Sequence, residues 1–199
     1  MQTLTKKAKG KVRKLILTVM VIGILAFSPM IWQAWANPDV IDIGPGATDR
    51  ANTAPNDYTF IALDNPANLT GTLDTVEVWA NTNLIGFRIG TFYLVSGTTY
   101  KCRDSAAIGA VTSGSKQTFS GLSISVESGD FLGMYCSSGL TDRADSGGGG
   151  YYYYLGENID PDDQTSFTFS AGRILSIYAT GETAAPPASG GQVIMIQEF

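Results

Sequence analysis

The stretch TFSGLSISVESGDFLGMYC, residues 118–136, decides the fold class. Between residues 122 and 127 apolar and polar side chains alternate, a period typical of a strand with one buried and one exposed face. Ser128-Gly129-Asp130 then interrupts the pattern with turn-forming residues, and a second apolar run follows at 131–135. We therefore predict a β-hairpin, which needs a larger sheet around it to be stable in water.

Similar runs recur along the rest of the chain, separated by Gly, Pro, Asn and Asp. Residues 71–80 alternate well, but a fault in register near Asp74 predicts a β-bulge. Residues 106–116 are small and polar and favour a loop or a short strand, and 137–150 is the longest predicted loop. No window has helical spacing. About ten short strands at regular spacing predict an all-β fold, an antiparallel jelly-roll-like β-sandwich.

The first 36 residues have the composition of a targeting segment. Six basic residues and no acidic one precede an apolar run of 18 residues at 15–32. Ala34-Trp35-Ala36 fits the pattern of signal-peptidase sites, and cleavage there leaves Asn37 first. The alternative is an uncleaved anchor, because the run is just long enough to span a bilayer. Both interpretations predict a secreted or cell-surface protein that meets the membrane only through this segment.

The net charge of the residues that follow this targeting segment limits the kinds of partner that the protein can bind. Residues 37–199 contain seven basic and 18 acidic residues, a net charge of −11. Such a surface repels nucleic acid and anionic lipid, and it is compatible with Ca²⁺ or a neutral polymer. The chain has no histidine, which excludes Ser-His-Asp and Cys-His catalysis and His-liganded zinc.

The exported part is predicted to be one β-sandwich domain, residues 37–181, followed by a linker at 182–191 and a C-terminal strand at 192–199. The final apolar run has two interpretations. It folds back to close a sheet edge of its own domain, or it is donated to a neighbouring subunit. The second interpretation predicts a structural subunit of an extracellular fibre, pilus-like or capsid-type assembly.

Two cysteines, Cys102 and Cys136, occur in the exported part. In an oxidising compartment an even pair predicts one disulfide. The alternative is a pair of buried free thiols that pack as small apolar residues.

The tyrosine run at 151–154 is the predicted ligand site. On a strand two of these rings face the core and two face outward, where exposed rings next to a glycine-rich loop can stack on sugar faces. Ordinary sheet packing of tyrosine is the alternative. Strand alternation in residues 71–80 also places Trp79 on the exposed face of its predicted strand. The complete set of predicted ligand-binding residues is Tyr151, Tyr152, Tyr153, Tyr154, Trp79, Asp142 and Asp145.

An acidic loop follows the tyrosines and is the predicted calcium site, because Ca²⁺ prefers six to eight oxygen ligands. The alternative is a solvated acidic turn. The predicted ligands are Glu157, Asn158, Asp160, Asp162 and Asp163. A short internal similarity links residues 48–53 to 141–146, each with an Asp-Arg pair, and the two loops form a shared site if they meet at one end of the sandwich.

Catalysis is not predicted. A glycosidase needs two carboxylates about 5 to 10 Å apart, and the three candidate glutamates, Glu77, Glu127 and Glu157, lie on different predicted elements. A glycosidase therefore ranks behind both a binding module and an assembly subunit.

The segment 71–136, and especially Phe119-Ser120-Gly121-Leu122 leading to Ser128-Gly129-Asp130, resembles secreted jelly-roll and concanavalin-like β-sandwiches. Domains of this kind occur in carbohydrate-binding modules and in uncharacterised phage and bacterial surface proteins. The resemblance implies the fold, and it transfers no ligand residue. Together with the predicted sites it favours a non-catalytic carbohydrate-binding or adhesion module.

Overall fold

The computed structural model describes residues 39–184 of the 199-residue chain. The chain divides into two units, Met1–Ala36 and Asn37–Phe199, and every described residue belongs to the second. The predicted leader at 1–36, most of the linker and the predicted strand at 192–199 lie outside the described residues. Within 39–184 no helix has the length and apolarity needed to cross a membrane.

The described residues form an all-β structure in which every pair of neighbouring strands is antiparallel. One sheet has four strands in the order β1-β14-β4-β7, a second has seven in the order β11-β6-β5-β8-β3-β10-β12, and a third has the order β13-β9-β2. The predicted all-β antiparallel class is confirmed. In chain order the strands are β1 (Val40–Ile43), β2 (Asn52–Ala54), β3 (Tyr58–Ala62), β4 (Gly71–Trp79), β5 (Leu84–Ser96), β6 (Thr99–Val111), β7 (Lys116–Val126), β8 (Phe131–Tyr135), β9 (Thr141–Ala144), β10 (Tyr151–Leu155), β11 (Gln164–Ser166), β12 (Thr168–Ser170), β13 (Ile174–Leu175) and β14 (Ile177–Glu182).

The main core is one apolar cluster to which both large sheets contribute. Alternate residues of β4, Val76 and Val78, are fully buried, as are Phe87 and Ile89 of β5. Burying each such side chain contributes about 1.5 to 3 kcal/mol. Apolar faces of two sheets that share one core give a sandwich-like architecture.

A second apolar cluster covers part of the other face of the seven-stranded sheet. Phe92 and Tyr100 of the sheet pack there with Ile159, from the loop after β10, and Phe167, between β11 and β12. The seven-stranded sheet is therefore partly buried on both faces, which explains why its strands contain nearly continuous apolar runs.

The predicted hairpin at 118–136 is wrong in its pairing. The two runs form strands, but β7 pairs with β4 whereas β8 pairs with β3 and β5. The turn between them therefore carries the chain from one sheet to the other. This arrangement buries the apolar sides of both strands in the same core, with Ile124 facing the cluster from one sheet and Leu132 from the other.

The predicted bulge near Asp74 is confirmed, because the register of β4 against β7 shifts between Leu73 and Thr75. Of the two alternatives for residues 106–116, the strand is confirmed and the loop is wrong as far as Val111, since β6 continues to Val111 by pairing with the equally long β5. Long cross-strand pairing thus overrides the weak strand propensity of this small-residue segment.

The predicted disulfide is not formed, and both cysteines are buried free thiols. Cys102 lies on β6 in the second cluster, and Cys136 follows β8 in the main core. Because β5 separates β6 from β8, the two chains are about 10 Å apart across the sheet. That spacing exceeds the limit of about 7 Å between Cα atoms that a disulfide can bridge.

Candidate functional site

A pocket of about 280 Å³ with aromatic and arginine side chains opens beside β3 and β10. Its volume lies near the lower end of small-molecule sites, about 300 Å³, and suits roughly one sugar ring. We refer to it as the aromatic–arginine pocket. Its lining residues are Pro55, Tyr58, Phe60, Arg143, Tyr151, Tyr153 and Arg173.

The aromatic wall of this pocket follows from the register of β3 against β10. Tyr153 pairs with Phe60, and alternate residues of paired strands share a face, so Tyr58 and Tyr151 join them. Ring centroids lie 5.1 Å apart for Phe60 and Tyr151, and 6.0 Å for Tyr58 and Tyr153, in edge-to-face contacts. Such contacts hold the rings in fixed orientations.

Two arginines converge on the phenol of Tyr151. Arg143, on β9, donates from Nη1 to the Tyr151 hydroxyl oxygen at 2.9 Å, and Arg173, just before β13, donates from Nη1 at 2.7 Å. Arg143 also donates from Nε to the carbonyl oxygen of Thr53 at 2.5 Å. The hydrogen bond with Tyr151 raises the pKa of Arg173 above its ordinary value. Both guanidinium groups are therefore positioned before any ligand arrives.

Asp145 lies beside both arginines. Its Oδ1 is 3.1 Å from Nη1 of Arg143 and 3.6 Å from Nε of Arg173, and its side chain is about half exposed. One carboxylate thus faces two guanidinium groups, which leaves an excess of one positive charge. Asp145 was predicted as a ligand residue, and in the structure it orients the arginines that line the pocket.

The glycine-rich loop before β10 is held in place next to these residues. Gly149 donates its N–H to Oδ1 of Asp64 at 2.7 Å, and Gly148 donates to the carbonyl oxygen of Gly172 at 3.1 Å. A side chain at position 148 would meet Cγ1 of Ile174 at 2.3 Å, so the close approach requires glycine. The loop therefore holds the residue before Arg173 by a hydrogen bond and lies close to Ile174, the residue after it.

Strand alternation divides the predicted tyrosine site between two faces. Tyr151 and Tyr153 line the pocket, whereas Tyr152 packs against Tyr100 at 4.9 Å between ring centroids. Tyr154 is 37% exposed on that opposite side. The ligand-binding role of all four stays a prediction, and the geometry favours Tyr151 and Tyr153.

Two other predicted ligand residues lie outside the aromatic–arginine pocket. Trp79 is half-buried on β4, opposite Lys116 in the four-stranded sheet. Asp142 is 1% exposed, and its Oδ2 accepts a hydrogen bond from the backbone N–H of Arg50 at 3.1 Å. Burial raises the pKa of Asp142 above its ordinary value. Asp142 thus connects two chain segments.

The two similar Asp-Arg segments meet, as paired strands and not as the predicted loops. Strand β2 pairs with β9, so that Asn52 lies opposite Arg143 and Thr53 opposite Asp142. Arg50 of the first segment lines a separate cleft of about 510 Å³ that also includes Asp64. Arg143 of the second segment lines the aromatic–arginine pocket. Each segment thus contributes one arginine to a different cavity.

The acidic loop after β10 is occupied by contacts within the protein. Glu157 and Asp160 both pair with Arg88, the latter at 2.6 Å, and Asp162 pairs with Lys101 at 2.7 Å. Oδ2 of Asp163 accepts the backbone N–H of Asp160 at 3.0 Å. Among residues 39–184 no group of three or more acidic or cysteine side chains lies close enough to hold a metal ion.

The remaining predicted calcium ligand, Asn158, donates its backbone N–H to Oγ1 of Thr59 at 2.9 Å. Its neighbour Ile159 is fully buried in the second cluster. These contacts attach the loop to the outer face of the seven-stranded sheet, so the loop has a structural role. Calcium binding stays a prediction.

Several lining residues have no distinguishing sequence pattern. Tyr58 and Phe60 belong to an ordinary apolar strand, and Arg173 follows an Ala-Gly turn. Arg143 was marked only by the internal similarity. No protein-family model matches the chain, and no curated protein matches it.

Proposed function

We propose that the protein is an exported, non-catalytic binding module for an extracellular glycan, and that the aromatic–arginine pocket is its ligand site. One observation carries the proposal. Tyr58 and Tyr153 form a fixed aromatic wall beside two arginines whose orientation is set by Tyr151.

The chemistry of the lining supports a sugar as ligand. The C–H groups of a pyranose face pack on aromatic rings, and its hydroxyls need nearby hydrogen-bonding groups. Tyr58 and Tyr153 are partly exposed and supply the rings. The guanidinium groups of Arg143 and Arg173 supply donors at the same pocket.

We also propose that the protein is exported and that it is a jelly-roll carbohydrate-binding module. The basic and apolar leader with its Ala34-Trp35-Ala36 sequence supports secretion or display at the cell surface. The sandwich-like architecture is compatible with a jelly-roll carbohydrate-binding module, a kind of protein in which function resides in the site and not in the fold.

The test is a screen of soluble oligosaccharides by microarray and then by calorimetry, with and without Ca²⁺. Tyr153→Ala should weaken binding of any identified glycan at least tenfold, because it removes one ring of the aromatic wall. Tyr154→Ala is the matched control, since it lies on the same strand but faces the opposite side. Equal losses in both variants, or no bound glycan, would overturn the proposal.

A structural subunit is the second proposal, and one observation supports it. In the described residues β1 is an edge strand of the four-stranded sheet, and Val40 on it is 64% exposed. An edge strand presents unpaired backbone groups that a strand from a neighbouring molecule can use. Residues 193–196 are the candidate donor.

Light scattering and negative-stain microscopy distinguish the two proposals. The exported chain is compared with a version that ends at Thr183, which retains the backbone bond from Thr183 N to Asp39 O at 3.0 Å. Regular assemblies formed only by the longer chain would support the structural subunit. Monomers in both cases would exclude it.

A further inference from the structure

We propose that the glycan bound in the aromatic–arginine pocket is acidic and carries a carboxylate, as uronic and sialic acids do. This inference rests on the proposed function and names the class of its ligand. The carboxylate binds at Arg143 and Arg173, and the sugar ring lies against the wall of Tyr58 and Tyr153.

The distribution of charge gives the first argument. The exported part has a net charge of −11 and only seven basic residues, yet two of them line this one small pocket and no acidic residue does. Four of the others form ion pairs of their own. These are Arg88 with Glu157 and Asp160, Lys101 with Asp162, Arg103 with Glu127 and Asp130, and Lys116 with Glu77.

The remaining basic residue, Arg50, donates from Nη2 to the carbonyl oxygens of Pro45 and Gly46 at 3.4 and 3.3 Å. Arg143 and Arg173 differ from the ion-paired group because they share a single carboxylate, that of Asp145. A concentration of uncompensated positive charge in an acidic protein attracts an anionic ligand.

Hydrogen bonding gives the second argument. Within residues 39–184, Nη2 of Arg143 and Nη2 of Arg173 make no hydrogen bond, and neither atom is buried without a partner. Both Nη2 atoms are therefore at least partly accessible to solvent, and the hydrogen bonds and ion pairs of the two arginines within the protein use only Nε and Nη1. Each arginine therefore offers the N–H donors of its Nη2 atom to a ligand, and the two oxygens of a carboxylate can each accept such charge-assisted hydrogen bonds.

The two arginines are also preorganised. Nη1 of each arginine donates a hydrogen bond to the same phenol oxygen, that of Tyr151. Nε of Arg143 donates to a backbone carbonyl oxygen. Arg173 follows a turn that is held by a hydrogen bond from Gly148. A side chain that is already ordered loses little conformational entropy when a ligand binds. The aromatic wall on the neighbouring strands then accepts the ring to which the carboxylate is attached.

The test uses the exported protein and calorimetry with two matched probes, a glucuronic-acid-containing oligosaccharide and the same oligosaccharide after reduction of its carboxyl groups. We expect the acidic probe to bind at least tenfold more tightly. Its affinity should fall as NaCl rises from 20 to 500 mM, because salt screens charge pairs. The affinity of the reduced probe should change little with salt. A sialyl-oligosaccharide and its reduced form provide a second pair.

Arg173→Gln should remove the preference for the acidic probe and leave weak binding of the reduced probe. Lys101→Gln is the matched control. It also removes one positive charge, but Lys101 forms an ion pair with Asp162 and does not line the pocket. Tyr153→Ala should weaken both probes. Thermal melting of each variant establishes that the fold is retained.

The outcomes separate the inference from the function on which it rests. Equal affinity for the acidic and reduced probes, or an unchanged preference in Arg173→Gln, would contradict recognition of a carboxylate. Neither result would contradict glycan binding. Tighter binding of a sulfated oligosaccharide than of either carboxylated probe would also overturn it. No binding to acidic, sulfated or neutral glycans would contradict the proposed function itself.

Discussion

Arg103 of β6 and Asp130, in the turn that follows β7, form a two-point ion pair. Nε of Arg103 lies 2.6 Å from Oδ2 of Asp130, and Nη2 lies 3.1 Å from Oδ1. Oδ2 also accepts the backbone N–H of Glu127 at 2.8 Å, and the Asp130 side chain is only 3% exposed. The pair thus attaches the seven-stranded sheet to the turn through which the chain crosses between sheets.

Asp130→Ala should lower the free energy of unfolding by about 3 kcal/mol, because it leaves the guanidinium of Arg103 without its buried partner. The value is at the lower end for a buried pair, since Arg103 is partly exposed and retains Glu127 at 2.8 Å. Urea unfolding followed by tryptophan fluorescence measures the change.

Glu77→Ala is the control for this prediction. Glu77 pairs with Lys116 at 2.7 Å on the surface of the four-stranded sheet. Its loss should reduce the free energy of unfolding by less than about 1 kcal/mol, as is usual for exposed ion pairs. Similar decreases in the free energy of unfolding of the two variants would show that the burial of Asp130 does not strengthen its ion pair.

The two thiols should be free and unreactive in the folded protein. Burial raises the pKa of Cys102 to about 12 and that of Cys136 to about 11, so almost no thiolate exists at pH 8. Since the thiolate is the reactive form, iodoacetamide should modify neither residue in the native state. Without any reductant, two thiols should react as soon as the protein is unfolded in guanidinium chloride.

Mass spectrometry of the purified protein provides the check on this prediction. Two modified cysteines after unfolding are expected. A mass lower by two hydrogens with no modified cysteine would demonstrate a disulfide and would require a different arrangement of β6 and β8.

The sequence predicts the local features of this fold well, because strand alternation and turn chemistry depend on neighbouring residues. The alternation around Leu122, the bulge near Asp74 and the all-β class all follow from such signals. Which strands pair with one another does not follow from these local signals. β7 and β8 are adjacent in sequence, yet their apolar sides face each other across the core, and this choice depends on every other strand present.

The pocket has the same division between local and long-range information. Alternation correctly places Tyr151 and Tyr153 on one face, and the similarity of two Asp-Arg segments marks Arg143. Arg173 reaches the phenol of Tyr151 only because β13 pairs with β9, and no pattern near residue 173 indicates this. Sites built by such pairing of distant segments become visible only in three dimensions.

Asp142→Asn should stabilise the protein at neutral pH and not at acidic pH. Burial is the largest cause that raises the pKa of Asp142 above its ordinary value of 3.8, and the nearby charge of Asp49 acts in the same direction. Below pH 3.8 the carboxyl is protonated in both the folded and the unfolded chain, so its ionisation costs nothing. As the pH rises through the folded-state pKa, the folded protein loses stability relative to the unfolded chain.

Asparagine removes this penalty because it has no charge, and its side-chain carbonyl can still accept the N–H of Arg50 that Oδ2 accepts at 3.1 Å. Melting temperatures of Asp142→Asn and the parent protein should therefore agree at pH 3 and diverge in favour of the variant at pH 7. Asp74→Asn, at an exposed position on β4, should show no such divergence. A variant that is less stable than the parent at pH 7 but equal at pH 3 would mean that attraction between Asp142 and the Arg50 guanidinium outweighs the cost of burial.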